Sequence, residues 1–396
     1  MSFNKISPLL VLVVAVISAG CGKTETQVAQ PKDAGELVVK IGASAPLTGP
    51  QAHIGKDNEN GTRMAIDDAN AKGVTIGGKK VRFELLSEDD QTDPKAATIV
   101  AQKLVDAKVN GIIGHLNSGT TIPASRIYSD NGIPQISPSA TAVAYTAQGF
   151  KTAFRVMAND AQQGKVLGEY ATKNLGAKKI AVLDDRTAYG QGIADEFVKS
   201  AQASGAEIVS RQYTTDKAID FAAVLTSIKG KQPDLVFFGG MDPQGAPMVK
   251  QLRALGMKTQ FMMGDGGYTP KLIENAGAAA EGTYASLPGV PLDKMQGGRD
   301  FATRYEAQFK QPIQLYAPYC YDAVNVMIAA MQQAGSAEPA KYLPELGKVV
   351  HDGVTAKIAF DEKGDLKGGA ITMYQVRQGK WQAVETMGGV APVATH

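Results

Sequence analysis

From residue 37 to residue 263, short apolar runs alternate with longer stretches whose apolar side chains recur at helical spacing. Strands separated by amphipathic helices bury their faces by forming parallel sheets covered with helices on both sides. The spacing predicts strands at 37–42, 81–86, 111–114 and 133–136. Helices fall between them: one includes 62–70, one opens at Asp93-Pro94, and one runs from about 122 to 130. Asp93 is a good N-cap and Pro94 a favoured first helical residue, with Ala97, Val100, Ala101, Leu104 and Val105 on one face. The rhythm restarts after residue 160. Helices are expected at 163–174, 190–204, 221–229 and 247–255, and strands at 179–183, 207–211, 235–238 and 260–263. Two such series predict two lobes. Residues 290–348 read as mostly helical, returning to thicken the first lobe.

The start of the chain speaks to location. Lys5 precedes an apolar run from 8 to 17, followed by Ser18-Ala19-Gly20-Cys21. This is the pattern of a secretory signal peptide over residues 1–20, too short for the ~20 apolar residues of a transmembrane helix. A cysteine after small residues is also the pattern of bacterial lipidation, so Cys21 is the expected lipid attachment point. Ser18 stands where leucine is usual in that pattern, and simple secretion stays open. Residues 21–36 are polar and read as a tether.

With 41 basic and 39 acidic residues among 396, the charge is nearly balanced, and no nucleic-acid partner is expected. The length suits about two domains. Only Cys21 and Cys320 occur, so a lipidated Cys21 leaves Cys320 without a disulfide partner.

In open α/β sheets, ligands bind where strands end and helices begin. Residues 114–121 (GHLNSGTT) fit such a place, and free N–H groups with serine and threonine hydroxyls suit an anion. Ordinary capping by Thr121 explains the same residues. Ser137-Pro138-Ser139-Ala140-Thr141 repeats the pattern after the next strand. Gly264-Asp265-Gly266-Gly267 follows the strand at 260–263 and offers a carboxylate to an ammonium, although a solvated turn aspartate reads equally. Tyr189 is an aromatic after a strand, suited to a ligand or to packing.

Enzyme templates fail. No Gly-x-Ser-x-Gly elbow, phosphate loop or dinucleotide fingerprint is present. Ser118 near His115 is the only nucleophile–base pair to consider. The four histidines have no metal-ligand spacing, and 361–365 (DEKGD) reads as a tight hairpin turn. No cofactor and no catalysis are expected.

Several stretches together resemble the bacterial periplasmic branched-chain amino acid binding proteins, the solute receptors of Leu/Ile/Val-type ABC importers. They are 45–50 (APLTGP), 114–118, 123–128 (PASRIY), 137–141, 189–192 (YGQG), 238–240 (FGG) and 361–368 (DEKGDLKG). The resemblance implies a type I periplasmic binding protein fold, α/β, with two Rossmann-like lobes joined by three crossover hinges. It implies lobe one at 37–159 and 288–370, lobe two at 160–287 and 371–396, and hinges near 158–161, 287–290 and 369–372. It assigns a ligand carboxylate to the loop at Asn117 and Ser118 and to Thr141. The ammonium then meets the main chain around Ser139 and Ala140, the Thr141 hydroxyl, and Asp265 where glutamate is usual. Ile54 and Met241 replace frequent aromatics in the side-chain pocket, while Tyr189 and Tyr316 keep aromatic character. The implied ligand is leucine, isoleucine, valine or another aliphatic amino acid. The implied partner is a membrane permease, with the receptor a monomer held at the membrane only by its lipid. A sensory protein presenting its ligand to a membrane receptor is the alternative.

Overall fold

The computed structural model describes residues 36–388. The expected signal segment, Cys21, the tether up to residue 35 and positions 389–396 lie outside the described residues.

The first lobe is built from Leu37–Ala45 (β1), Ala52–Ala71 (α1), Thr75–Ile76 (β2), Lys79–Asp89 (β3) and Pro94–Asp106 (α2). Gly111–Gly114 (β4), Ser118–Asp130 (α3), Gln135–Ser137 (β5), Ala144–Ala147 (α4) and Ala153–Arg155 (β6) complete its sheet. The strand order is β2-β3-β1-β4-β5-β6, parallel except for the β2–β3 hairpin. Asp93 caps α2 through bonds from the Lys95 and Ala96 amides, both 2.8 Å.

The chain then crosses to a second sheet through Asp160–Glu169 (α5), which ends in a π turn at Tyr170–Asn174. There follow Lys179–Asp184 (β7), Ala188–Ala203 (α6), Glu207–Tyr213 (β8), Ala222–Lys229 (α7) and Leu235–Gly239 (β9). Asp242–Ala254 (α8), Gln260–Met263 (β10), Pro270–Ala276 (α9) and Tyr284–Pro288 (β11) come next. After β11 the chain returns to the first lobe as Gly298–Phe309 (α10), Ala317–Ala334 (α11) and Pro339–Leu346 (α12). A small hairpin of Val350–Asp352 (β12) and Lys357–Ala359 (β13) follows, and then Ala370–Arg377 (β14) and Lys380–Gly388 (β15) rejoin the second sheet. Its order is β15-β14-β11-β10-β9-β7-β8. β14 and β15 pair antiparallel at one edge, an addition that the parallel rhythm does not announce.

The helices at 290–348 do pack on the first lobe. α11 lies along α1 so closely that a Cβ on Gly61 would meet the Ala317 carbonyl oxygen at 2.2 Å. That contact requires glycine. The buried Asp57 on α1 fixes the start of α11. It accepts from the amides of Gln314, Leu315, Tyr316 and Ala317 and from the Tyr305 hydroxyl, at 2.8–2.9 Å. The turn at 361–365 is tight as expected, with Asp361 N donating to Asp365 O at 2.8 Å.

Four expectations need correction. Residues 118–121 are not a loop before a helix at 122, because they form the first turn of α3. Thr121 therefore does not cap; its hydroxyl donates back to the carbonyls of His115 and Asn117. Likewise α8 begins at Asp242 rather than 247, and Tyr189 lies in the first turn of α6 rather than in a loop. Pro123 and Pro247 read as first-turn prolines because that is where proline costs least, yet both sit inside their helices.

Candidate functional site

The carboxyl ends of the strands in both sheets face one another, and the polar residues beyond them meet there. On the first lobe, β4 leads into the α3 N-terminus at Ser118, and β5 leads into Ser139, Ala140 and Thr141, all buried. The Ser118 hydroxyl accepts from the Ala142 amide at 3.1 Å, and Ser139 donates to the Leu116 carbonyl at 3.0 Å. These bonds stitch the two strand-end segments into one surface. The Thr141 hydroxyl is buried and donates to the Asp160 carboxyl. Asn117 donates to Gln51 at 2.8 Å. Behind this surface lies Arg155, wholly buried, which donates to the carbonyls of Ala140 and Ala142 and to Asp365. An arginine fork held this way fixes the backbone that would meet a ligand.

On the second lobe, β10 ends at Met263, and the short turn that follows it opens with Asp265. The Tyr189 hydroxyl donates to its Oδ1 at 2.9 Å and itself accepts from the Gly266 amide at 2.9 Å. Tyr316, from the start of α11, donates to Oδ2 at 2.7 Å. Burial pushes the Asp265 carboxyl up from its ordinary range, against these hydroxyl bonds. The flanking glycines are a packing requirement. A Cβ at Gly264 would lie 2.7 Å from the Tyr189 hydroxyl, and one at Gly266 would lie 2.6 Å from the Met241 sulfur.

The structure thus brings Asp265, Tyr189 and Tyr316 together, with Met241 against the same turn. Ile54 is buried on α1. A cavity of about 430 Å³ beside them is lined by Asn117, Tyr189 and Met241 together with Gln51, Asp185 and Asp216. A larger one of about 590 Å³ lies between Tyr268, Trp381 and Ile313. Its lining is mostly apolar and aromatic, with Glu274, Gln314 and Lys380 among it, and includes none of the expected site residues.

Ser118 and His115 do not pair. His115 is buried with Nδ1 2.8 Å from Asp90 and Nε2 3.0 Å from Tyr128.

Sequence reasoning gave no role in the site to five residues here. His53 on α1 reaches across to Asp242 at the α8 N-terminus, 2.9 Å away, and Thr269 donates to the same Asp242 oxygen at 3.0 Å. Asp160 opens α5 with its side chain wholly buried, and Gln163 follows one turn later. The only local signal was the capping box of Asn159 and Gln162, which marks a helix start and says nothing about a ligand.

Two lobes of mainly parallel sheet, crossed three times by the chain and facing polar strand ends across a cleft, define a solute-receptor architecture. The chain belongs to the periplasmic binding protein family, whose model matches residues 38–380. That membership gives it an extracytoplasmic setting. It is 36% identical over 344 residues to the Leu/Ile/Val-binding protein homolog 1 of Brucella suis, covering 86% of this chain and 91% of that one. Among solved structures it is similar to the leucine-binding protein LivK of Thermotoga maritima, with a TM-score of 0.82 and 28% identity, over 88% of this chain and 98% of that one. It is also similar to the branched-chain amino acid transporter substrate-binding protein LivJ of Streptococcus pneumoniae in complex with isoleucine. There the TM-score is 0.80 and the identity 28%, over 89% of this chain and 99% of that one.

Proposed function

We propose that this protein captures an aliphatic α-amino acid, leucine, isoleucine or valine first, between its lobes and delivers it to an ABC importer permease. The observation that carries this reading is the carboxyl of Asp265, held by tyrosines from both sides of the cleft, with the α3 N-terminus at Ser118 and the strand-end segment at Thr141 supplied by the other lobe. One end offers N–H groups and hydroxyls to an anion, and the other offers a carboxyl to a cation. A zwitterion satisfies both only when the lobes are together, so its binding favours closure. Met241 and Ile54 supply branched and flexible apolar walls, which supports an aliphatic side chain. The Thermotoga relative is a leucine-binding protein and the Streptococcus relative was solved with isoleucine, which supports the same choice.

On this reading the lobes are 37–159 with 288–370 and 160–287 with 371–388, and the three crossings are the hinges. The receptor works as a monomer tethered through lipid on Cys21. Cys21→Ala should move it from the membrane to the soluble extracytoplasmic fraction.

The test is a thermal-shift screen of protein unfolded and refolded to remove carried-over ligand. A ligand at a hundred times its dissociation constant adds about 2.7 kcal/mol of stability. A shift with leucine, isoleucine or valine supports the reading, and no shift with any α-amino acid refutes it.

A further inference from the structure

Asn159 is the N-cap of α5, the helix on which the chain first crosses to the second sheet. Its Oδ1 accepts from the Gln162 amide at 3.2 Å, and its own amide donates to the Gln162 side chain at 3.1 Å. The other end of the same side chain turns back, and Nδ2 donates to Asp365 Oδ2 at 3.2 Å. A backbone N–H only donates and a carboxylate only accepts, so these two neighbours fix which way the Asn159 amide faces. One side chain thus caps a helix of the second lobe and grips a carboxylate of the first.

Asp365 is itself firmly held. It accepts from Arg155 Nε at 2.6 Å and from the Thr146 hydroxyl at 2.9 Å. Its turn lies hard against β6: the Arg155 amide donates to the Gly364 carbonyl at 2.9 Å, and a Cβ on Gly364 would come within 2.1 Å of the Ala153 carbonyl oxygen. Arg155 also holds the carbonyls of Ala140 and Ala142, at 2.9 and 3.0 Å. Between those two, the Thr141 carbonyl accepts at 2.8 Å from the amide that follows Asn159 in the chain. The bonds close a ring from the strand-end segment at 140–142 through Arg155, Asp365 and Asn159 and back. Two links of the ring span the crossing, and the one from Asn159 to Asp365 is the link made by a side chain.

We propose that Asn159 is a positioning residue for lobe closure, its bond to Asp365 acting as a bracket across the first crossing that favours the lobes-together form. This rests on the amino-acid reading above and on the crossings being hinges. The lobes are together in this structure, since Tyr316 reaches Asp265 and His53 reaches Asp242, so the bracket is a contact of that form. Asn159 acts through the ring: a ligand that settles the 140–142 segment also settles the first turn of α5, about which the second lobe swings.

Asn159→Ser and Asn159→Asp both keep an oxygen that caps α5, and both remove the donor to Asp365. The aspartate adds a like charge facing Asp365. The experiment is stopped-flow association and dissociation of leucine on wild type and both variants, with scanning calorimetry of ligand-free protein and small-angle X-ray scattering with and without leucine. Dissociation is expected to be about fivefold faster in Asn159→Ser and faster again in Asn159→Asp, with association rate and ligand-free melting temperature near wild type. Dissociation within about twofold of wild type in both variants overturns the proposal. So does faster dissociation that is the same in the two variants and comes with a lowered ligand-free melting temperature, which marks a helix cap and nothing more. If Asn159→Asp fails to fold, the dissociation rate of Asn159→Ser decides. Failure of the underlying readings looks different: wild type would then bind no α-amino acid, or would bind leucine with no change in scattering.

Discussion

The Tyr316 hydroxyl donates to Asp265 Oδ2 at 2.7 Å, joining the N-terminus of a first-lobe helix to a strand end of the second lobe. Tyr316 is held there because its own amide is bonded to Asp57 at 2.8 Å, so the bond to Asp265 is made by a fixed donor. A hydrogen bond to a charged group contributes about 1.5–3 kcal/mol. Tyr316→Phe should therefore weaken amino-acid binding by about tenfold or more while the melting temperature of ligand-free protein changes little. Titration calorimetry measures the first and scanning calorimetry the second, and undiminished affinity would remove Tyr316 from the closing contact.

Asp57 is predicted to matter for stability more than for recognition. Asp57→Ala leaves four amides at 314–317, three of them buried, without their acceptor. Each unpaired buried group costs about 1–3 kcal/mol before relaxation. A loss of at least about 3 kcal/mol is expected, which is roughly 6–12 °C in melting temperature for a domain of this size. A drop of under about 2 °C would mean the α11 start is held by its packing against Gly61 instead.

His53 and Asp242 form a polar contact from lobe to lobe that touches no expected ligand atom. His53→Ala should shift the balance toward the open form, so that bound ligand dissociates several-fold faster while the association rate stays near wild type. Stopped-flow release reads this directly. An unchanged dissociation rate would show that the pair contributes nothing to closure.

Stability without ligand should fall as pH rises from about 4 to about 8, and Asp160 is the cause. Its folded carboxyl is raised to about 8 from an unfolded value of 3.8, so in this window the folded protein holds a proton that the unfolded chain has released. The contribution is fully present below the unfolded value and is lost as pH climbs through the folded one. Its slope is at most about 1.4 kcal/mol per pH unit. Denaturant titrations of Asp160→Asn should show a flatter pH dependence than wild type. An identical dependence would assign it to other carboxyls, Asp185 first, which burial raises to about 6.

The alternation of strand and helix, the return of 290–348 to the first lobe and the polar strand-end segments at Ser118, Ser139 and Asp265 were legible from the chain alone. Hydrophobic periodicity and turn chemistry are local properties, written within a few residues of where they act. Helix starts were less legible. Pro123 and Pro247 point to the wrong first turn because tertiary packing extends α3 and α8 backward past them. The antiparallel β14–β15 edge was hidden for a related reason: its pairing with β11 joins residues far apart in sequence.

The sequence by itself determined the class of fold and which segments face the cleft, because burial of apolar faces leaves little choice once the period is set. Only the tertiary structure decided which side chains meet there. Asp265 takes its hydroxyls from positions 76 and 51 residues away, and Asp160 lies among Thr141, Gly192 and Asp265, contributed by three separate segments. A carboxyl's partners, and with them its charge and its use, are set by distances of a few ångströms in space, which spacing along the chain does not encode.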